Sequence, residues 1–106
     1  MKKLAICLMF PVIAHAEFWT GNQLLAKMQD PSAGERMFAL GYVSGVSDAL
    51  TGVVTCPPLS VTVGQVNDMV RSLLEANPGD RHKSADIFVR AAMQAQWPCK
   101  KSGNAV

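Results

Sequence analysis

Reactive and strongly charged groups are scarce in this chain. Its 106 residues include two histidines, three cysteines and one tyrosine, and ten basic residues stand against eight acidic ones. There is no CxxC pair, no glycine-rich phosphate loop and no apolar run long enough to span a bilayer. A catalytic site needs convergent reactive side chains, a nucleic-acid binder needs a basic face, and a membrane-spanning helix needs roughly 20 apolar residues. Only Lys100-Lys101 and Arg81-His82-Lys83 come near a basic patch. The expected protein is therefore not an enzyme, needs no cofactor or metal, and has neither nucleic acid nor a membrane anchor as a partner.

What is present begins with MKKLAICLMFPVIAHA. Lys2 and Lys3, an apolar run from Leu4 to Ile13, and Ala14-His15-Ala16 form the three parts of a secretory signal, with cleavage expected after Ala16. Pro11 and the short run argue against a retained anchor, and Ile6 before Cys7 fits a lipidation site poorly. Loss of Lys2 and Lys3 leaves eight basic and eight acidic residues, so the basic excess belongs to the signal. Residues 17–106 have the size of one small domain.

Two cysteines, Cys56 and Cys99, remain after cleavage. In an oxidising compartment such a pair usually closes. The enclosed loop of about 44 residues corresponds to about 4 kcal/mol in the chain-entropy model. Metal coordination is the competing use of the pair, and His82 is the single remaining histidine to assist it.

Periodicity predicts four helices. TGNQLLAKMQ (20–29) places Leu24, Leu25 and Met28 on one face, with Thr20 or Asn22 as cap. A longer helix opens at Pro31-Ser32, has Glu35 in its first turn and continues to about Leu50. It carries Ala39, Tyr42, Val43, Val46 and Leu50 on one stripe and Gly41, Gly45 and Ala49 on another. Since glycine inside a helix costs roughly 1 kcal/mol relative to alanine, Gly41 and Gly45 are expected where a neighbouring helix packs closely. Cys56-Pro57-Pro58 forms a rigid loop. Thr62 and Gln65 make a capping box for a helix to about Ala76, with Val66, Met69, Val70, Leu73 and Leu74 inward. Asn77-Pro78-Gly79-Asp80 is turn chemistry. The last helix starts near Lys83 or Ser84, with Ser84 as cap, and turns Ala85, Phe88, Val89, Ala92, Met93 and Trp97 inward. The expected fold is all-α, a small bundle of about four helices with one disulfide, over residues 17–99, followed by a flexible tail at 100–106.

Few residues invite a chemical role. Asp80 and His82 are two apart at a turn, where capping and solvation of the next helix is the expected use. Gly41-Tyr42-Val43-Ser44-Gly45 lacks the strand context of a nucleotide fingerprint or nucleophile elbow. Asp48 is expected to pair with Arg36, Arg71 or a helix N-terminus. Tyr42 and Trp97 read as core aromatics, and Trp19 as a possible exposed interface anchor.

The segments GYVSGVSDAL (41–50), CPP (56–58), VTVGQVNDMVRSLLEANP (61–78), RHKSA (81–85) and WPC (97–99) occur in this order. Together they resemble the Rap/Tai family of type VI secretion immunity proteins over residues 18–99. The resemblance implies a periplasmic helical protein that binds and blocks a toxin delivered by neighbouring cells. In the best understood members that toxin is a peptidoglycan amidase with a catalytic cysteine and histidine, and a loop of the immunity protein covers its active-site groove. Carried onto this chain, the inhibitory loop is Asn77, Pro78, Gly79, Asp80, Arg81 and His82, and the disulfide joins Cys56 and Cys99. The resemblance also implies a homodimer. A small periplasmic disulfide-bonded helical chaperone or stress protein is the alternative function.

Overall fold

The computed structural model describes residues 18–100. The signal-peptide reading for residues 1–16 and nearly all of the expected tail lie outside them. The described elements are α1 (Gly21–Met28), α2 (Ala33–Leu50), α3 (Val63–Ala76) and α4 (Ala85–Gln96), with a 3-10 turn at Pro78–Asp80 between the last two. The fold is all-α, as the periodicity predicts, and carries the Cys56–Cys99 disulfide expected from the cysteine pair.

Local chemistry starts these helices where the sequence places the caps. Thr20 and Gln23 form a capping box on α1, as do Thr62 and Gln65 on α3: each threonine hydroxyl accepts from the N3 amide, and each glutamine side chain accepts from the cap amide. The Ser32 hydroxyl accepts from the Glu35 amide at the start of α2. Ser84 precedes α4, yet its hydroxyl bonds the Asp86 carboxylate rather than the helix backbone. The Ala85 amide instead donates to the Trp19 carbonyl at 2.8 Å. A cap from a distant segment has replaced the local one.

Each helix packs against the other three. The core joins Leu24, Leu25 and Met28 of α1, Ala39 and Val43 of α2, Val66, Val70 and Leu74 of α3, and Ala85, Phe88, Val89, Ala92 and Met93 of α4. Tyr42, Val46, Met69, Leu73 and Trp97 pack on its margin. Trp19, whose place near the start of the domain left exposure open, is half-buried and stacks on Tyr42 with ring centroids 5.0 Å apart. Burial holds the Tyr42 hydroxyl's pKa above its ordinary value, and the nearby Asp86 carboxylate adds to the shift.

Gly41 and Gly45 depart from expectation. Both are exposed, and a Cβ built on either meets nothing within 4 Å. Among the described residues, no helix packs against them. Their spacing sets a face of α2, but α2 turns its Ala39–Val43 face to the core and leaves the glycine face to solvent. The close approach occurs at Gly21. A Cβ there would stand 2.9 Å from Phe88 Cε2, 3.0 Å from Leu74 Cδ2 and 3.1 Å from the Arg81 carbonyl oxygen.

The Cys56–Cys99 disulfide closes the far end of the bundle, with the two Cα atoms 4.8 Å apart. The Cys56 amide donates to the Trp97 carbonyl at 2.8 Å, so backbone pairing accompanies the bridge. Gly52, with φ +85°, reverses the chain after α2 in a conformation that favours glycine.

Two thermal-unfolding measurements check this packing. Gly21→Ala is expected to lose about 1–3 kcal/mol through overpacking, while Gly41→Ala and Gly45→Ala are expected to gain up to about 1 kcal/mol each from helix propensity. Removing the bridge as Cys56→Ser with Cys99→Ser is expected to lower stability by about 4 kcal/mol, with α4 the first helix to lose amide protection.

Candidate partner-binding surface

The connection between α3 and α4 is short and heavily bonded. Asn77 ends α3: its side-chain amide donates to the Leu73 carbonyl at 2.8 Å, and its backbone amide reaches the Leu74 carbonyl at 3.3 Å. The 3-10 turn follows, with the Asp80 amide donating to the Asn77 carbonyl at 3.1 Å and the Lys83 amide to the Asp80 carbonyl at 3.0 Å. An ion pair of 3.3 Å joins Lys83 Nζ to Asp80 Oδ1, but both side chains are about half exposed. Such pairs contribute at most about 1 kcal/mol.

Arg81 behaves differently from its neighbours. Its Nη1 donates to the Leu74 carbonyl at 3.0 Å and its Nε to Asn22 Oδ1 at 3.2 Å, tying the end of α3 to the start of α1. The backbone adds to this tie. The amides of Gly21 and Asn22, which have no partners within α1, donate to the carbonyls of Lys83 and Arg81, each at 2.8 Å. The first turn of α1 is thus satisfied by the α3–α4 connection, and the connection is held by α1.

Of the six proposed loop residues, Asn77 and Arg81 are half-buried and bonded inward, while Pro78, Gly79, Asp80 and His82 are exposed. The expected segment therefore divides into a structural base and a free tip. Sequence reasoning missed this division, because the Arg81 contact to Asn22 spans 59 residues and leaves no local pattern. Next to the tip, a shallow apolar cavity of about 200 Å³ lies between Leu73, Ile87, Phe88 and Ala91. Ile87, 48% exposed, forms its outer wall.

Asp48 also departs from expectation. It is exposed and has no ion pair among the described residues, where Arg36 donates to the Asp30 and Pro31 carbonyls and Arg71 pairs with Glu75. Lys27 is held at 2.6 Å from Glu35 and lies over the rings of Trp19 and Phe38. Among the described residues, no three His, Cys, Asp or Glu side chains converge as metal ligands would. The two cysteines are joined to each other.

The described residues form a small helical domain with a disulfide at one end and an exposed turn at the other. The family model for Rap1a immunity proteins matches residues 20–99. The chain belongs to the Rap1a immunity protein family. A comparison with curated proteins gives no match. Membership points to a role in toxin immunity. Among the described residues, no helix is long and apolar enough to cross a membrane.

The divided loop yields a contrast measurable by thermal unfolding. Arg81→Ala is expected to lose about 1–3 kcal/mol, since it strips a charged donor from two acceptors, one of them a helix-end carbonyl. Asp80→Ala and His82→Ala, at the exposed tip, are expected to stay within about 0.5 kcal/mol of the parent.

Proposed function

We propose that this chain is a periplasmic immunity protein that inhibits a type VI secretion toxin, a peptidoglycan amidase, by laying the tip of the α3–α4 connection over its catalytic groove. The observation that carries the reading is the tip itself: Pro78, Gly79, Asp80 and His82 stand exposed on a base fixed by hydrogen bonds to α1 and α3. A loop ordered before binding loses little further freedom in the complex, which favours affinity. Asp80 and His82 supply polar groups to the partner's cleft, and Ile87 supplies an apolar edge beside it. Inhibition then needs no chemistry of its own.

Family membership supports the immunity role, and the leader-like sequence at residues 1–16 supports export. Pairing of two copies is proposed on the outer face of α2. There Met37 and Phe38 are each 63% exposed beside Gly41 and Gly45, which leave room for a second backbone. The particular toxin is to be sought first in the neighbouring gene.

With that toxin sent to the periplasm, co-production of this chain is expected to protect the cell, and the purified pair is expected to associate tightly. Asp80→Lys combined with His82→Glu is expected to weaken inhibition of peptidoglycan cleavage by about tenfold or more, equivalent to about 1.4 kcal/mol, with the unfolding midpoint unchanged. Full inhibition by that double variant would overturn the loop assignment. Weak binding to many unrelated clients, with none of it tight, would favour the chaperone reading.

A further inference from the structure

A second concave surface lies at the opposite end of α3, about 20 Å along that helix from the turn. It is a groove of about 240 Å³ between the last turns of α2, the Pro57–Leu59 loop and the start of α3. Its volume falls below the roughly 300–1,000 Å³ of most small-molecule pockets, and it has room for one long side chain. The walls are of two kinds. Leu59, Val63 and Met93 give an apolar side, while Ser47, Asp48 and Thr51 give a polar one.

Three features of this groove have no use within the fold. Asp48 is its one charged lining residue and has no ion pair or hydrogen bond among the described residues. Ser47 is more than nine-tenths buried, and its Oγ has no hydrogen-bond partner among the described residues. Buried polar groups are nearly always paired, and an unpaired one carries a free-energy penalty. Leu59 is fully exposed, yet it sits on a loop stiffened by Pro57 and Pro58 and anchored by the disulfide at Cys56, the residue immediately before them. A large apolar side chain is thus held in water beside an unpaired carboxylate.

The geometry points to a docking site for a basic side chain of the toxin partner, an arginine or lysine. Its aliphatic stem lies along Leu59, Val63 and Met93, and its cationic head meets the Asp48 carboxylate near the Ser47 and Thr51 hydroxyls. Long basic side chains combine an apolar stem with a charged end in this way. A guanidinium is favoured over an ammonium because its five donors suit a carboxylate flanked by hydroxyls. This assignment rests on the immunity reading for the identity of the partner, but the groove can be tested without it.

The direct experiment is an NMR titration of the oxidised protein with N-acetyl-arginamide, with N-acetyl-citrullinamide as the neutral isostere. Saturable amide shifts are expected at residues 47–51 and 59–63 with the arginine probe, and not in the 77–82 turn. The citrulline probe and the Asp48→Asn variant are each expected to weaken the effect about fivefold, the size of a partly desolvated ion pair. Ser47→Ala is expected to keep or raise the unfolding midpoint while weakening the probe. Absence of saturable shifts, or equal affinity in Asp48→Asn, would overturn the groove assignment. With the toxin, Asp48→Asn is expected to weaken binding while the tip residues remain engaged. Loss of binding from tip variants alone would leave the immunity reading standing and remove the groove; a groove that takes the arginine probe in a chain with no toxin partner would do the reverse.

Discussion

The reciprocal hydrogen bonding between residues 19–22 and residues 81–85 is the constraint on which the arrangement depends. Helix α1 is two turns long, and an isolated helix of that length is not stable in water. Its first donors are completed by the Arg81 and Lys83 carbonyls, and the first donor of α4 is completed by the Trp19 carbonyl. The local Thr20 cap reaches only the Gln23 amide of α1, and Ser84 gives α4 no side-chain cap, so the start of α1, the α3–α4 connection and the start of α4 order together. Gly21 allows this contact. With any side chain there, the backbone of α1 would be pushed away from Phe88 and from the Arg81 carbonyl.

The disulfide does complementary work at the other end. It ties the loop after α2 to the residue just beyond α4, and the Cys56 amide bond to Trp97 continues that tie through the backbone. Helices α3 and α4 are thereby fixed at both ends, by the bridge at one and by Arg81 with α1 at the other. A small domain with limited core gains rigidity from such constraints where burial alone would give little margin. That rigidity suits the proposed role of presenting a surface to a partner.

Much of the fold was legible because it is local. The two Thr–x–x–Gln capping boxes, Ser32 before α2, the inward stripes on α3 and α4, and the cysteine pair all follow from short-range chemistry or from simple counting. What escaped the sequence depends on which face meets which neighbour. Gly41 and Gly45 have the spacing of a packing motif but face solvent, while the isolated Gly21, which has no motif, is pressed against three residues. Ser84 looked like the cap of α4, and a carbonyl 65 positions earlier took that role. Asp48 lacked a partner because both candidate arginines were engaged elsewhere. For the surface, the six-residue turn was visible as turn chemistry, but its division into base and tip required the position of α1.

The proposed inhibitory turn is ordered before any partner arrives, because α1 and α4 are bonded through it. Native-state hydrogen exchange of the Gly21, Asn22 and Ala85 amides in the free protein measures this most directly. Protection close to that of Val70 and Leu74 in the core of α3 is expected, lost together with α1 when Arg81 is replaced by alanine. Fast exchange of those three amides by local opening, while the core stays protected, would contradict it.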